Sequence, residues 1–285
     1  MTTPPIQWYP GHIAKAQKAL LDQLKRVDVV LEVRDARIPI ASHHPLLPEW
    51  IGEKARILVL NREDQIYPQA SQAWQQWFRE QGEVPFLTNA QQGKGVLAVA
   101  KATQSVGVAI NQRRRDRGMR PRPVRAVVIG FPNVGKSALI NRLLKRRIAT
   151  SARRPGVTRQ LRWIRVSEQL DLLDTPGVLP ARLDDQQAAY RLAICDDIGD
   201  AAYDNQRVAA ALVDLLTGLT RQFPKLLPQQ PLQERYQLDP ASLQGDAYLV
   251  TLAESRFQGD IERTARQLLN DFRKGLLGAI SLELP

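Results

Sequence analysis

The sequence GFPNVGKS at residues 130–137 decides the fold, because it fits the phosphate-loop pattern G-x-x-x-x-G-K-[ST] at every fixed position. An apolar run, AVVI at residues 126–129, precedes it and is typical of a buried parallel strand. The residues that follow, ALINRLL at 138–144, space their apolar side chains along one face of a helix. A strand, a glycine loop and a helix in this order predict an α/β domain that binds a nucleoside triphosphate.

The chemistry expected of this loop is electrostatic. Gly130 and Gly135 allow the backbone to curl so that its N–H groups point at phosphate oxygens, and the helix adds the positive end of its dipole. Lys136 is expected to reach the β- and γ-phosphates, and the Ser137 hydroxyl to ligate Mg²⁺. The predicted nucleotide contacts of the loop are Asn133, Val134, Gly135, Lys136, Ser137 and Ala138.

The composition limits the class of protein. The 285 residues are enough for two domains, and 44% hydrophobic and 24% charged residues are ordinary globular values. No apolar run reaches the roughly 18 residues of a membrane span and no secretory signal is recognised, so we expect a cytoplasmic protein without stable membrane insertion.

The single cysteine, Cys195, excludes a disulfide framework and is expected in the core. The formal charge of +11 favours a nucleic-acid or anionic-membrane partner, with a solvated basic surface as the alternative.

A polar cluster that suits recognition of a base follows the strand predicted at residues 56–60. It consists of Asn61, Arg62, Glu63 and Asp64. The Asp64 carboxylate can accept from the N1–H and 2-amino groups of guanine, while Asn61 bridges to loop backbone; adenine would leave the carboxylate unpaired. A helix cap at Asp64 is an equally good interpretation of four residues alone. After a third predicted strand, Asn89 and Ala90 open a loop of small residues whose N–H groups can face the O6 of guanine.

Two further segments have weaker signals. The basic linker, about residues 104–125, ends in an Arg- and Pro-rich stretch at 113–125. We interpret that stretch as a mobile loop with phosphate affinity or as a solvated linker, and the two interpretations do not exclude each other. His43 and His44 are adjacent in a polar loop, and without a second ligand cluster they are expected to be solvated rather than metal-binding.

Two segments after the phosphate loop are expected to sense the γ-phosphate. The polar loop at residues 150–158 should be flexible and brings Thr158, a candidate ligand of Mg²⁺. A strand predicted at residues 170–173 leads to Asp174, expected to hold Mg²⁺ through water, and to Gly177, whose N–H is expected to contact the γ-phosphate. Segments that are released when this phosphate leaves form a switch.

The group that positions the attacking water is not evident from the sequence. Val178 follows Gly177, and an aliphatic side chain cannot orient water, so hydrolysis is slow or another group supplies this function. Asn133 can bind a monovalent cation such as K⁺ beside the phosphates, which would stabilise developing charge. His12 is the best candidate for positioning the water, although a structural, hydrogen-bonded histidine explains it equally well. The predicted catalytic residues are thus His12, Lys136, Thr158 and Asp174.

Taken together, these motifs resemble the circularly permuted GTPases of the ribosome biogenesis GTPase A family. The matching pieces are WYPGHIAKA at 8–16, DARIP at 35–39, NRED at 61–64, NAQQGKG at 89–95, GFPNVGKS, PGVT at 155–158 and DTPGV at 174–178. The motifs for guanine precede the phosphate loop, which is the reverse of the usual order. The resemblance implies a Ras-like, circularly permuted α/β domain with a mostly parallel sheet at residues 1–180. A small all-helical domain is expected at residues 181–285.

The resemblance also implies a function. A member would hydrolyse GTP to GDP and phosphate with Mg²⁺, slowly unless stimulated by the ribosome and K⁺, and would assist late assembly of the large ribosomal subunit as a monomer that binds its RNA. A basic amphipathic helix at residues 260–274 fits an RNA-binding domain or a solvated bundle face. The family usually has Lys in place of Arg62, which puts affinity in doubt rather than guanine specificity. The rivals are a nucleotide-gated RNA-binding module with incidental hydrolysis and a peripheral membrane switch.

Overall fold

The computed structural model describes residue 6 and residues 13–144, 161–180 and 183–285 of the chain. His12, Thr158 and the loop predicted at 150–158 lie outside the described residues. Within them, six strands form one sheet: β1 Val29–Asp35, β2 Ala55–Asn61, β3 Phe86–Thr88, β4 Val124–Ile129, β5 Arg162–Ser167 and β6 Leu170–Asp174. The strand order is β3-β2-β1-β4-β6-β5, and every neighbouring pair is parallel except β5 with β6. The predicted mostly parallel α/β sheet is confirmed.

Helices cover both faces of the sheet and explain why its central strands are apolar. The helices of the first part are α1 Ile13–Leu24, α2 Leu47–Ile51, α3 Pro68–Glu80, α4 Val96–Asp116 and α5 Lys136–Leu143. Val30 and Val127 pack with Leu20 of α1 and Leu47 of α2 on one face. The other face of the sheet packs with α4 and α5. Strand β4, which is buried except at Arg125, accordingly has a nearly continuous apolar sequence, VRAVVI.

The later residues are helical and continue into the same core. Their helices are α6 Gln186–Ile194, α7 Asn205–Gln222, α8 Pro231–Tyr236, α9 Gly245–Arg256 and α10 Ile261–Arg273. On the apolar face expected for α10, Ala265, Leu268 and Phe272 are buried and Ile261 is half-buried. Asp260 caps the helix by accepting from the Arg263 N–H at 2.9 Å. Cys195, directly after α6, is fully buried as expected.

The end of the chain returns to the sheet. The Leu282 N–H donates to the Arg37 carbonyl at 2.8 Å, and the Glu283 carboxylate accepts from the N–H groups of Ile40 at 2.7 Å and Ala41 at 3.0 Å. The Trp74 indole of α3 donates to the Glu283 carbonyl at 3.2 Å. The helical part is therefore attached to the sheet at both of its ends, since α6 also contacts the sheet loops.

The Arg- and Pro-rich stretch at residues 113–125 is not a loop at its start. Residues 113–116 form the last turn of α4, so the mobile-loop prediction is wrong there. The buried residues of α4 recur at helical spacing along one face: Val96, Val99, Thr103 and Gly107. This face packs closely on β4, since a Cβ on Gly107 would lie 2.3 Å from Cγ2 of Val124. Arginines in the last turn favour the helix because they oppose its dipole.

The prediction for His44 is also wrong, because its side chain is buried. Its ring lies 4.2 Å from the ring of Trp50, and burial lowers the pKa of His44 to about 4, which keeps it neutral. Nδ1 of His43 lies 2.7 Å from Oε1 of the buried Glu32. Within the described residues no group of His, Cys, Asp and Glu side chains could hold a metal ion on its own.

Candidate nucleotide site

The predicted site residues converge because parallel strands deliver their following loops to one edge of the sheet. Strand β2 ends at Asn61, β3 at Thr88, β4 at Ile129 and β6 at Asp174. The phosphate loop, the NRED turn, the loop at 89–95 and the DTPG segment therefore lie side by side. The arrangement brings the predicted residues together, apart from His12 and Thr158, which are not described.

Both glycines of the phosphate loop are required by close contacts. A Cβ on Gly130 would lie 2.2 Å from the Val33 carbonyl oxygen of β1. Gly135 has a φ of +102°, and a Cβ there would lie 2.0 Å from Nδ2 of Asn61. The loop therefore fits against β1 and the base motif only without side chains at these two positions.

Lys136, the first residue of α5, is buried inside the loop. Its ammonium donates to the carbonyls of Phe131 at 2.6 Å and Gly130 at 3.1 Å. Burial lowers the pKa of Lys136 to about 8, against the opposing effect of the Asp174 charge. A bound phosphate would supply the negative charge that this buried cation lacks.

Asp174 complements that lysine. Burial raises the pKa of Asp174 to about 6, while the nearby Lys136 charge opposes the shift. Its Oδ1 is buried and accepts no hydrogen bond from any described residue. A buried carboxylate oxygen without a donor is the kind of atom that Mg²⁺ or its water shell would satisfy, so the residues present fit that ion.

The segment after Asp174 lies directly against the phosphate loop. Thr175 donates its hydroxyl to the Val128 carbonyl at 2.6 Å, and the Val178 N–H donates to the Gly130 carbonyl at 3.2 Å. A Cβ on Gly177 would lie 2.6 Å from Cα of Pro132. The Val178 side chain is buried in the apolar core beneath the sheet, so it does not face the phosphates.

Asn61 holds three loops of the site together. Its Nδ2 donates to the Val134 carbonyl at 2.8 Å, and its Oδ1 accepts from the Thr88 hydroxyl and from the Ala90 N–H, both at 3.0 Å. The side chain thus bridges to loop backbone, as the sequence suggested. Because Oδ1 of Asn61 already accepts from the Ala90 N–H, that N–H could contact O6 of guanine only by sharing its proton between the two oxygens.

Arg62 makes a contact that the sequence interpretation missed. Its Nη2 donates to the Asn133 carbonyl at 2.6 Å, and its Nη1 lies 3.2 Å from Oδ2 of the fully buried Asp35. A lysine would offer one nitrogen atom, whereas the planar guanidinium of Arg62 presents two separate nitrogens, one to each acceptor. The arginine therefore ties the phosphate loop to the end of β1.

The other base-motif residues lie in a 3₁₀ turn, Glu63–Gln65. Glu63 pairs with Lys94 of the neighbouring loop at 3.3 Å. The Asp64 side chain is exposed and caps no backbone N–H of the described residues, so the capping interpretation is not what the structure shows. Asn89 is buried and uses its side-chain oxygen to accept from the Gln92 N–H at 3.0 Å.

A polar ring joins the phosphate loop to the helical part of the chain. Arg37 donates to both Asp35 oxygens, at 3.0 and 2.7 Å, and to the Cys195 carbonyl at 2.9 Å. Asn133 donates its Nδ2 to the Asp196 carbonyl at 2.6 Å. With the two contacts of Arg62, this closes a circuit of buried and half-buried contacts from the nucleotide loop through β1 to the end of α6. The DARIP motif was the sequence signal for Asp35 and Arg37.

Asp197 lies beside this ring and is fully buried. Neither of its carboxylate oxygens has a hydrogen-bond partner among the described residues. Burial raises the pKa of Asp197 well above its ordinary value, and the nearby Asp35 charge adds to the shift. A strongly desolvated acidic group therefore lies next to the ring.

The comparisons with known proteins agree with this geometry. A family model described as "50S ribosome-binding GTPase" matches residues 125–230, which contain the phosphate loop and the DTPG segment but not the NRED motif that precedes them. Ribosome biogenesis GTPase A of Bacillus cereus is 36% identical over 98% of this chain and 94% of its own. Mitochondrial ribosome-associated GTPase 1 of Mus musculus is 32% identical over 97% of this chain and 90% of its own.

Two solved structures are similar in fold. A GDP-bound YlqF superposes with a TM-score of 0.65 at 22% identity and covers 94% of this chain and 99% of its own. GNP-bound YlqF from T. maritima superposes with a TM-score of 0.63 at 23% identity and covers 95% of this chain and 98% of its own. No helix in the described part of this chain is long and apolar enough to cross a membrane.

Proposed function

The chain belongs to the ribosome biogenesis GTPase A family and is a GTPase, and from this premise we propose that it assists late assembly of the large ribosomal subunit by binding its RNA. The description of the matching family as 50S ribosome-binding supports the large subunit as the partner. The formal charge of +11 supports RNA as the part that is bound. The polar ring carries the proposal, because it connects the nucleotide loop directly to the helical part.

The roles of the residues follow from their positions. Lys136 would hold the β- and γ-phosphates, and Asp64 would read the N1–H and 2-amino groups of guanine. Ser137, Asp174 and Thr158 would hold Mg²⁺, which supplies neutralisation of charge on the phosphate oxygens. The Gly177 N–H would contact the γ-phosphate beside the loop. His12 would position the attacking water, since Val178 is buried elsewhere.

A monovalent cation at Asn133 belongs to the same proposal. The Asn133 amide nitrogen donates to Asp196, so the amide oxygen is the atom that would ligate K⁺. Replacing K⁺ by Na⁺ should then slow hydrolysis, and Asn133→Asp or Asn133→Ala should remove the difference between the two ions. Equal rates of the unsubstituted protein in both ions would contradict this assignment.

The domain roles are proposed in the same way. Residues 1–180 would form the GTPase domain and residues 181–285 a helical domain that contacts RNA, in a cytoplasmic monomer. When the γ-phosphate leaves, a change at Asn133 would reach the end of α6 through the contacts described above, because Asn133 donates directly to the Asp196 carbonyl.

Single-turnover hydrolysis with and without purified large subunits tests the function. We expect stimulation by large subunits and not by small subunits, and tighter binding to large subunits with a non-hydrolysable GTP analogue than with GDP. Binding that depends on the nucleotide without any stimulation of hydrolysis would favour the second candidate, a nucleotide-gated RNA-binding module. The buried Val178 is the observation that favours this candidate.

A further inference from the structure

The net positive charge of the chain comes entirely from its first part. Residues 1–180 contain 29 Lys and Arg against 14 Asp and Glu, whereas residues 181–285 contain 11 against 15. The first part therefore carries a formal charge of +15 and the helical part −4. Because affinity for nucleic acid comes mainly from neutralised phosphates, the stronger attraction should lie in the first part.

The densest basic cluster lies at the end of α4. We call it the arginine turn: Arg113, Arg114, Arg115, Arg117 and Arg120. None of the five has an ion-pair partner among the described residues, and all except Arg114 are exposed. Arg122, two residues later, differs because both of its Nη atoms donate to Asp28 at 2.7 Å. Dipole stabilisation explains arginines inside the helix, but Arg117 and Arg120 lie beyond its last residue.

Hydrogen bonds fix the arginine turn in a folded shape. The Met119 N–H donates to the Arg114 carbonyl at 2.9 Å, and Nε of Arg114 donates to the Arg120 carbonyl at 3.0 Å. Asn111 then exchanges two hydrogen bonds with the backbone of Arg122, at 3.0 and 3.1 Å. The guanidinium groups therefore project from an ordered turn, so binding would order less of the chain than it would for a loose tail.

The arginine turn lies at the edge of the sheet opposite to the nucleotide. Strand β4 starts at Val124 and β6 at Leu170, and both residues line a groove of about 300 Å³ beside α4. Arg115 and Arg122 line the same groove. Since α4 starts near the base loop and runs for 21 residues, the arginine turn is about 30 Å from that loop.

We propose that the arginine turn is an RNA-binding surface that contacts the phosphodiester backbone without reading sequence. The proposal rests on the proposed function and places a main RNA contact on the GTPase part, outside the helical part. The guanidinium group can donate two parallel hydrogen bonds to phosphate oxygens, and every basic residue of 104–125 is Arg rather than Lys. Residues 104–125 contain no Phe, Trp or Tyr, which argues against a membrane surface and against stacking on bases.

Titration of protein-free large-subunit RNA at several KCl concentrations tests the proposal. The variant replaces Arg113, Arg115, Arg117 and Arg120 by Gln and leaves Arg114, which holds the turn. We expect at least about a tenfold loss of affinity near 100 mM salt and a decrease of about 3 in the slope of log affinity against log salt. The same four positions changed to Lys should keep the slope.

The matched control replaces four exposed basic residues of the helical part, Arg207, Arg221, Lys225 and Arg256, by Gln. This control has the same change in charge and should change the slope by less than about 1. An equal effect of the two variants would overturn the proposal, because net charge alone would then explain it. Unchanged GTP hydrolysis without ribosomes should show that the arginine-turn variant is folded.

Two other outcomes separate this proposal from its alternatives. If the variant keeps its RNA affinity and salt slope, the arginine turn does not bind RNA, while the proposed function stands. If the unsubstituted protein binds neither this RNA nor large subunits, the proposed function fails as well. The last experiment measures binding of the unsubstituted protein and the variant to vesicles with about 30% phosphatidylserine. Loss of vesicle binding with retained RNA binding would make the surface a membrane contact and overturn the proposal.

Discussion

The sheet region, residues 1–180, and the helical region, residues 181–285, differ in how they use their charges. The sheet region has an excess of 15 positive charges, and its arginine turn has no carboxylate partners among the described residues. In the helical region Arg266 pairs with Glu262 at 2.7 Å, and Arg273 donates to the carbonyls of Ala193 and Ile194. The basic side chains of α10 are thus largely used within the protein, so basic helical periodicity is a poor guide to an RNA surface.

At the contact between the two regions, by contrast, the charged side chains are buried and paired with each other. Arg37 and Asp35 are buried and paired with each other, and Arg37 also donates to the backbone of the helical region. Removing one partner of such a pair leaves an unpaired charge in a desolvated place, which costs more than the pair itself contributes. The buried charges therefore hold the two regions in one arrangement, and the exposed charges are available for a partner.

The largest expected effect tests whether nucleotide binding belongs to the sheet region alone. Lys136→Ala should lower GTP affinity by about 10³-fold, roughly 4 kcal/mol, because the β- and γ-phosphates lose their buried cation. Calorimetry measures the loss, and Lys225→Ala on the exposed surface of the helical region is the control, with no change expected. Normal affinity in the Lys136 variant would refute the assignment of the phosphate loop.

The contact between the regions should be nearly as sensitive. Arg37→Met should lower the free energy of unfolding by about 3 kcal/mol, since Asp35 then stays buried with only Arg62 beside it. Urea denaturation measures the change, and Arg207→Met at an exposed position should change stability by less than about 0.5 kcal/mol. A small loss at Arg37 would mean that the apolar core alone holds the two regions together.

The base motif should determine specificity within the sheet region. Asp64→Asn should change the ratio of GTP to XTP affinity by about 100-fold toward XTP, because an amide can donate to the 2-oxo group of xanthine. Competition binding with both nucleotides measures the ratio. Asp246→Asn on an exposed part of α9 is the control for loss of one negative charge. An unchanged ratio would remove Asp64 from the base site.

The smallest expected effect is a pH dependence of GTP affinity. The pKa of Lys136 is about 8 in the free protein, and bound phosphates favour its charged form, so binding takes up a proton above pH 8 and affinity falls there. Asp174 has the opposite sign: its pKa is about 6, ionisation favours Mg²⁺, and affinity falls below pH 6. Each limb is limited to about tenfold per pH unit. Calorimetry in two buffers measures the proton uptake, and proton release above pH 8 would contradict the assignment of Lys136 as the cation that binds the phosphates.

The nucleotide edge of the sheet could be predicted from the sequence because its signals are local. The phosphate loop needs glycines, a lysine and a strand before it within a few residues, and β4 and α5 lie where this pattern places them. The bridging role of Asn61 also followed from its position at the end of a strand. Strand β5 was not predicted, because it is an edge strand in which Ile164 is the only buried side chain.

Other features depend on residues that are distant in sequence. Arg37 and Cys195 are 158 positions apart, and only the packing of α6 against the sheet makes the arginine a link between regions. His44 is buried because Trp50 and Phe131 surround it, which its polar neighbours in sequence did not indicate. The linker is helical as far as Asp116 because one face of α4 meets the sheet, and only the arginines at 113–115 of the stretch that favoured a loop lie within this helix.

By itself, the sequence determined which chemical groups meet a nucleotide and in which chain order, because a phosphate loop and its neighbours act over a few residues. Tertiary structure alone decided which charges are buried and which are left for a partner. Burial depends on what other segments cover, and desolvation decides whether an arginine such as Arg37 stabilises the fold or, like those of the arginine turn, stays available at the surface.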